Sequence, residues 1–314
     1  MKNSPAAVPC SIKPEDVTRV KALGFLRDKT TADKFNGRVI TRNGKITDEE
    51  MATVAKASRL FGSGEIAMTT RLTLEIQGVS YDNIQPLIDY LAENGLQTGG
   101  TGKKVRPVVS CKGTTCQYGL IDTYSISKEI HDLFFIGYHD VTLPHKFKIA
   151  VGGCPNNCIK PELNDIGIIG RKRPVVNLDK CRGCGKCQIA VNCPIKIAKV
   201  DDGKVVIDQD LCNNCGRCSG RCPFGAVEEY IVGCTICIGG RWGKKTAKAF
   251  TLEKFFTDRK DVISTVEKAL LLFKDLGEPG ERFADTIARI GFEKANEILL
   301  SDEILTRKDE IINK

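Results

Sequence analysis

The chain has 314 residues, 41% hydrophobic and 27% charged, the proportions of a globular protein with room for two or three modest domains. No run approaches the eighteen apolar residues of a membrane span, and the opening "MKNSPAAVPC" lacks the apolar core of a secretory signal, so the cytoplasm is the expected compartment. The formal charge of +8 is spread along the chain and mixed with acids, which argues against nucleic acid as a partner, and that count treats 15 cysteines as neutral.

In chain order, "GRVIT" (37–41) reads as a strand followed by a turn at Asn43-Gly44. "TDEEMATVAKASRLFG" (47–62) reads as a helix capped by Thr47, with Glu50 as its capping-box partner. "EIAMTTRLTLEIQGV" (65–79) is strand-like throughout, and "NIQPLIDYLAENG" (83–95) is a second helix closed by Gly95. These elements make an α+β unit, expected over residues 1–98. Two short β-like runs come next, "RPVVS" (106–110) and "FKIAV" (147–151). Each leads into a pair of cysteines among glycines and small polar residues: Cys111 and Cys116, then Cys154 and Cys158. Together these four can ligate one iron–sulfur cluster.

The strongest signal follows. "CRGCGKCQIAVNCP" carries Cys181, Cys184, Cys187 and Cys193, and "CNNCGRCSGRCP" carries Cys212, Cys215, Cys218 and Cys222. The second run has the C-x2-C-x2-C-x3-C-P spacing of bacterial two-cluster ferredoxins; the first differs only in having five residues before its fourth cysteine. Three closely spaced thiolates grip three corners of a cube, and the fourth is carried by the proline turn to the other cluster. One [4Fe-4S] cluster is therefore expected on Cys181, Cys184, Cys187 and Cys222, and another on Cys212, Cys215, Cys218 and Cys193. A zinc site would favour two pairs with a longer spacer. Three such clusters with their thiolates would offset about six units of the positive charge. Between the runs, "KVDDGKVVIDQDL" reads as a hairpin, and the whole module spans about 172–232. Cys10 reads as an ordinary thiol, and "GCTIC" (233–237) as a redox pair or a further metal half-site. Beyond residue 245 the pattern is helical, with long helices over 258–277 and 282–300 and an exposed polar tail.

With these motifs in place, the chain resembles the siroheme-dependent nitrite and sulfite reductases, most closely the catalytic C subunit of the anaerobic, dissimilatory-type sulfite reductases. That family pairs a C-x5-C with a distant C-x3-C; here the first pair is one residue shorter. The resemblance implies that Cys111, Cys116, Cys154 and Cys158 hold a [4Fe-4S] cluster, with Cys158 bridging to the siroheme iron. "MTTRLTLEIQGV" matches the segment whose arginine reaches the substrate, placing that role on Arg71. "TGKKVRPVVSC" places a second such arginine at Arg106, and "LPHKFKIAVGGCPNNC" places two lysines of the anion site at Lys146 and Lys148. The implied fold is α+β, with sulfite reductase-like siroheme domains over 1–98, 99–171 and 233–314 and the two-cluster ferredoxin unit inserted at 172–232. The implied reaction is the six-electron reduction of sulfite to sulfide, using siroheme and three [4Fe-4S] clusters.

The chemistry asks for the same residue types. Sulfite is a small dianion, and cations facing it offset its charge and support proton delivery as each oxygen leaves as water. Lys146 and Lys148 share one face of an extended segment, with Phe147 on the other. Taken singly, Arg71 reads as a solvated or paired arginine and the two lysines as a strand edge; the set beside four placed cysteines carries the reading. His131, His139 and His145 are too scattered for a metal triad, although His145 adjoins Lys146. "GGTGKK" (99–104) fails as a phosphate loop, because Lys104 stands where serine or threonine is required. Siroheme carries eight carboxylates, so Arg38, Arg42, Arg241, Lys244 and Lys245, near glycine-rich turns, are candidates for its rim. No flavin or nicotinamide fingerprint is present, so electrons should come from iron–sulfur and flavin-bearing, NADH-oxidising donor subunits or from free ferredoxin. Nitrite is the alternative substrate, and a non-catalytic iron–sulfur electron carrier is the alternative class.

Overall fold

The computed structural model describes residues 6–314; residues 1–5, with which the expected first unit begins, lie outside the described residues. The first unit is helix α1 (Pro14–Ala22), strands β1 (Phe25–Arg27) and β2 (Lys34–Val39), helix α2 (Asp48–Phe61), strands β3 (Ile66–Met68) and β4 (Leu74–Ser80), and helix α3 (Ile84–Glu93). Its sheet is antiparallel in the order β1-β2-β4-β3, and Phe25, Phe35, Val54, Ile76 and Leu87 fill the core between sheet and helices. The Thr47 hydroxyl accepts the Glu50 N–H while the Glu50 carboxylate accepts the Thr47 N–H, so α2 starts at its capping box.

One expectation fails here. Residues 65–79 are not a single strand but a hairpin that turns over Thr69–Thr73. The Thr69 hydroxyl accepts the N–H groups of Arg71 and Thr73, at 3.3 and 3.2 Å, and Leu72 takes a left-handed φ of 58°. A side-chain acceptor thus outcompetes the ladder, and Arg71 sits on a turn instead of a strand.

The second unit is built on a mixed sheet. Strand β5 (Val109–Ser110) is followed by α4 (Thr123–Ile130), which continues as a π-helical turn over His131–Ile136. Strands β6 (Ile149–Gly152) and β7 (Ile166–Pro174) come next. The small module then contributes α5 (Gln188–Asn192) and the hairpin β8 (Ala198–Asp201) and β9 (Lys204–Ile207). Asp202 and Gly203 supply the two positive φ angles of its turn. Strands β10 (Tyr230–Ile238) and β11 (Phe250–Thr251) complete the sheet, in the order β11-β10-β7-β6-β5. Strands β5, β6 and β7 are parallel neighbours, whereas β10 runs antiparallel to β7. Pro174 and Tyr230 are paired across that junction. The module therefore leaves and re-enters the host sheet at adjacent points, as a tolerated insertion must.

Helices α6 (Arg259–Leu276), α7 (Phe283–Ile290) and α8 (Phe292–Leu300) cover one face of the sheet. Phe147, Phe273 and Phe283 pack there with ring centroids 5.1 to 5.7 Å apart. Two expectations are corrected at this end. Residues 282–300 form two helices, because Gly291 takes a φ of 89° that ends α7 and turns the chain. The tail is anchored as well: two short helices, Glu303–Thr306 and Lys308–Asn313, bury Ile304 and Ile311 in the main core. No helix among the described residues is long and apolar enough to cross a membrane.

The "GCTIC" pair is also corrected. Cys234 and Cys237 both lie within β10, three positions apart and hence on opposite faces. Cys234 joins the main core, and Cys237 joins a separate small cluster with Ile169 and Ala249. Burial pushes both thiols up to about 12. Two inert thiols facing away from each other make neither a redox pair nor a metal half-site.

Candidate active site

Strands β5 and β6 are adjacent and parallel, so the loops leaving their C-terminal ends emerge side by side. The Cys111 N–H donates to Val151 O at 3.1 Å, and the Gly153 N–H donates to Cys111 Sγ at 3.2 Å. Glycine is required where the loops cross. A Cβ on Gly153 would stand 2.8 Å from the Gly113 Cα, and one on Gly113 would stand 2.9 Å from the Gly153 Cα. This contact brings Cys111, Cys116, Cys154 and Cys158 to one cavity of about 320 Å³, which Leu72 also lines. Burial raises the Cys154 pKa, and the neighbouring thiols of Cys111, Cys158 and Cys116 add to it. Cys158 is the exposed member of the four. Thr123 holds the first loop by donating its hydroxyl to Cys111 O at 2.8 Å.

The eight cysteines of the inserted module divide between two further cavities. Cys181, Cys184, Cys187 and Cys222 line one, and Cys193, Cys212, Cys215 and Cys218 line the other. Burial pushes Cys218 up to about 11, with Cys212, Cys215 and Cys193 pushing the same way. The second loop is stitched to β7: the Lys172 N–H donates to Asn214 O at 2.7 Å, and Arg171 Nη1 donates to Asn213 O at 2.7 Å. Cys215 and Cys154 consequently line one cleft of about 380 Å³. Among the described residues no group of His, Cys, Asp or Glu is arranged around a single metal ion. The donor sets are all-thiol and ring cavities, which suits polynuclear iron–sulfur clusters.

Arg71, next to Leu72 of the first cavity, belongs to a group of partly buried cations. Arg71, on the hairpin turn, donates through Nη1 to Asn164 Oδ1 at 3.1 Å and through Nη2 to Pro107 O and Ile149 O at 2.8 and 3.2 Å. It is thereby pinned between the two strands that lead to the cysteine loops. Burial pushes Arg71 and Arg106 each down to about 10, and in both cases neighbouring arginines press in the same direction. Arg106 Nη1 donates to Gly100 O, and the Nε atoms of Arg71 and Arg106 are buried without partners. Phe147 is fully buried between the partly exposed Lys146 and Lys148, as the alternation implies. Burial pushes Lys148 down to about 8, helped by Arg71 and Arg282. His145 accepts the Lys146 N–H at its Nδ1, and burial lowers its pKa. Two members of this group carry no sequence signal: Asp165, fully buried, and Arg282, just ahead of α7. They form an ion pair 117 positions apart, and nothing in spacing links them.

The rim candidates separate. Arg38 joins the cation group through Gly100 O and pairs with Glu75 at 3.3 Å. Arg42 pairs with Glu50 and lines a different cavity, with His131, so it stands apart from the cysteine site. Arg241 is held by Asp285 at 2.6 Å, and Lys244 and Lys245 are exposed.

Residues 101–306 match the nitrite and sulphite reductase 4Fe-4S domain, and residues 27–94 match the nitrite/sulfite reductase ferredoxin-like half domain. The coenzyme F420-dependent sulfite reductase of Methanocaldococcus jannaschii is 33% identical over 235 residues, 74% of this chain and 37% of that protein. The C subunit of the anaerobic sulfite reductase of Salmonella typhimurium is 30% identical over 46% of each chain. The chain thus spans less than half the length of these relatives. Among solved structures, dissimilatory sulfite reductase I superposes with a TM-score of 0.66 at 21% identity, over 85% of this chain and 69% of that one, which extends the likeness to the fold. The two domain matches, on a chain whose parallel strands deliver four cysteines to one cavity, place this protein in the nitrite and sulfite reductase family.

Proposed function

We propose that this chain reduces sulfite to sulfide in the cytoplasm. The balanced reaction consumes six electrons and eight protons per sulfite and yields hydrogen sulfide and three waters. The observation that carries the reading is the partly buried group Arg71, Arg106, Lys146 and Lys148, on or against the segments that lead into the loops of Cys111, Cys116, Cys154 and Cys158. An electron carrier has no use for such an excess of positive charge, whereas an enzyme acting on a small dianion requires one. The four cysteines would hold a [4Fe-4S] cluster, with Cys158, the exposed sulfur, reaching siroheme. When bound, siroheme and the cluster supply the iron site at which sulfur loses its oxygens and the electrons for doing so.

The chain's own residues do the rest. Arg71 is fixed by the carbonyl oxygens of Pro107 and Ile149 and Arg106 by that of Gly100, and both present preorganised charge to the anion. Lys148, with its ammonium acidified by burial and by Arg71, is suited to pass a proton from Nζ near neutral pH. The inserted module would hold two more [4Fe-4S] clusters and accept electrons from a donor protein or ferredoxin, and the cleft shared by Cys154 and Cys215 supports that route.

Turnover with reduced methyl viologen under anaerobic conditions tests the proposal. Sulfide from sulfite, at a kcat/KM at least about tenfold above that for ammonium from nitrite, is the expected result. The reverse preference would make the chain a nitrite reductase, and no product from either anion by siroheme-loaded protein would refute catalysis.

A further inference from the structure

We propose that Arg282, held in place by Asp165, is a fifth cation of the sulfite site, brought to it by the C-terminal helices. The inference rests on the function proposed above and adds a residue to it. Asp165 is fully buried, and the Arg282 side chain is 11% exposed. Both hydrogen bonds of Arg282 run through Nη2 to the two Asp165 oxygens, at 3.0 Å each. The Asp165 carboxylate also accepts the Lys148 backbone N–H, at 2.8 Å. One buried carboxylate therefore fixes the guanidinium of Arg282 and the backbone that carries Lys148.

Charge decides between a structural and a ligand-binding role. A structural ion pair needs one cation for one carboxylate, yet Arg38, Arg71, Arg106, Lys146, Lys148 and Arg282 form one group of six cations, with Asp165 and Glu75 as the carboxylates paired within it. Buried like charges repel one another unless an anion joins them. The hydrogen bonds agree, since the Nε atoms of Arg38, Arg71, Arg106 and Arg282 are all buried without acceptors. Four unanswered donors in one cationic group call for the oxygens of a small oxyanion. Arg282 also helps to hold down the Lys146, Lys148 and Arg106 pKa values, as a cation at close range does.

The test compares a charged ligand with a neutral one on siroheme-loaded protein, by spectroscopic titration and without turnover. Sulfite and carbon monoxide are each titrated against the reduced wild type, Arg282→Gln, Arg282→Lys and the double variant Asp165→Asn/Arg282→Gln. The double variant removes the Asp165–Arg282 ion pair as a unit and serves if the single glutamine variant fails to fold. The expected result is sulfite affinity weakened roughly 10-fold to 100-fold in the glutamine variants and partly restored by lysine, with carbon monoxide affinity unchanged. Equal weakening of both ligands would reduce Arg282 to a structural role, and unchanged sulfite affinity would remove it from the site. Loss of heme itself would assign it to the carboxylates of the macrocycle. Each of these results overturns the proposal. A wild type that carries no heme would instead refute the functional reading on which it rests.

Discussion

Replacing Lys148 with methionine is expected to lower kcat/KM for sulfite by about 10²- to 10³-fold, the effect of removing one preorganised charge from a water-poor site. The pH dependence gives a sharper check. Burial, then Arg71 and Arg282, hold the free-enzyme Lys148 at about 8, so it is an ammonium below that pH and a neutral amine above it. The site therefore loses positive charge as pH rises through about 8, and kcat/KM, which reports the free enzyme, should fall there. In Lys148→Arg the guanidinium keeps its charge, and the ratio of wild-type to variant kcat/KM should decline above about pH 8. Sulfite's own ionisation is common to both proteins and cancels in the ratio. A ratio flat from pH 7 to 9 would remove Lys148 from the anion site.

The second large effect separates the cysteine sets. Cys154→Ala should reduce iron from about thirteen to about nine atoms per chain and abolish sulfite reduction, because it removes a ligand from the cavity beside the cations. Cys184→Ala should also cost about four irons, but it acts at a cavity lined only by the inserted module and should leave the heme bands in place. Sulfite affinity should then survive in Cys184→Ala. If both variants lose heme together, the two cavities are not independent centres.

Much of this arrangement was legible because local chemistry writes itself into spacing. The ferredoxin-like runs predict how eight cysteines divide, and the two module cavities bring together the same two sets of four. The short β-like runs before Cys111 and Cys154 are parallel neighbours, so two weak pairs become one site. Thr47 with Glu50 and Asn43-Gly44 are complete within a few residues, and both form as read. What stayed hidden depends on distance or on one backbone angle. Asp165 and Arg282 meet only because α7 and β7 share the main core, through Phe283, Ile287, Ile166 and Ile168, and no periodicity records that. The break at Gly291 and the turn at Leu72 each hinge on a positive φ inside an otherwise regular pattern. The tail looked polar because its apolar residues are only two short pairs, Ile304-Leu305 and Ile311-Ile312, among charged and polar neighbours.

The cofactor content of the anaerobically purified chain tests sulfite reduction at a siroheme most directly. Its absorption spectrum, recorded with iron and acid-labile sulfide on cofactor-replete protein, should show a Soret band, a red band near ~590 nm, and about thirteen irons to about twelve sulfides. The heme bands should shift when sulfite is added to the reduced protein. About eight irons and no heme would contradict the reductase reading, leaving a two-cluster carrier with a partly buried cationic site and nothing to bind there.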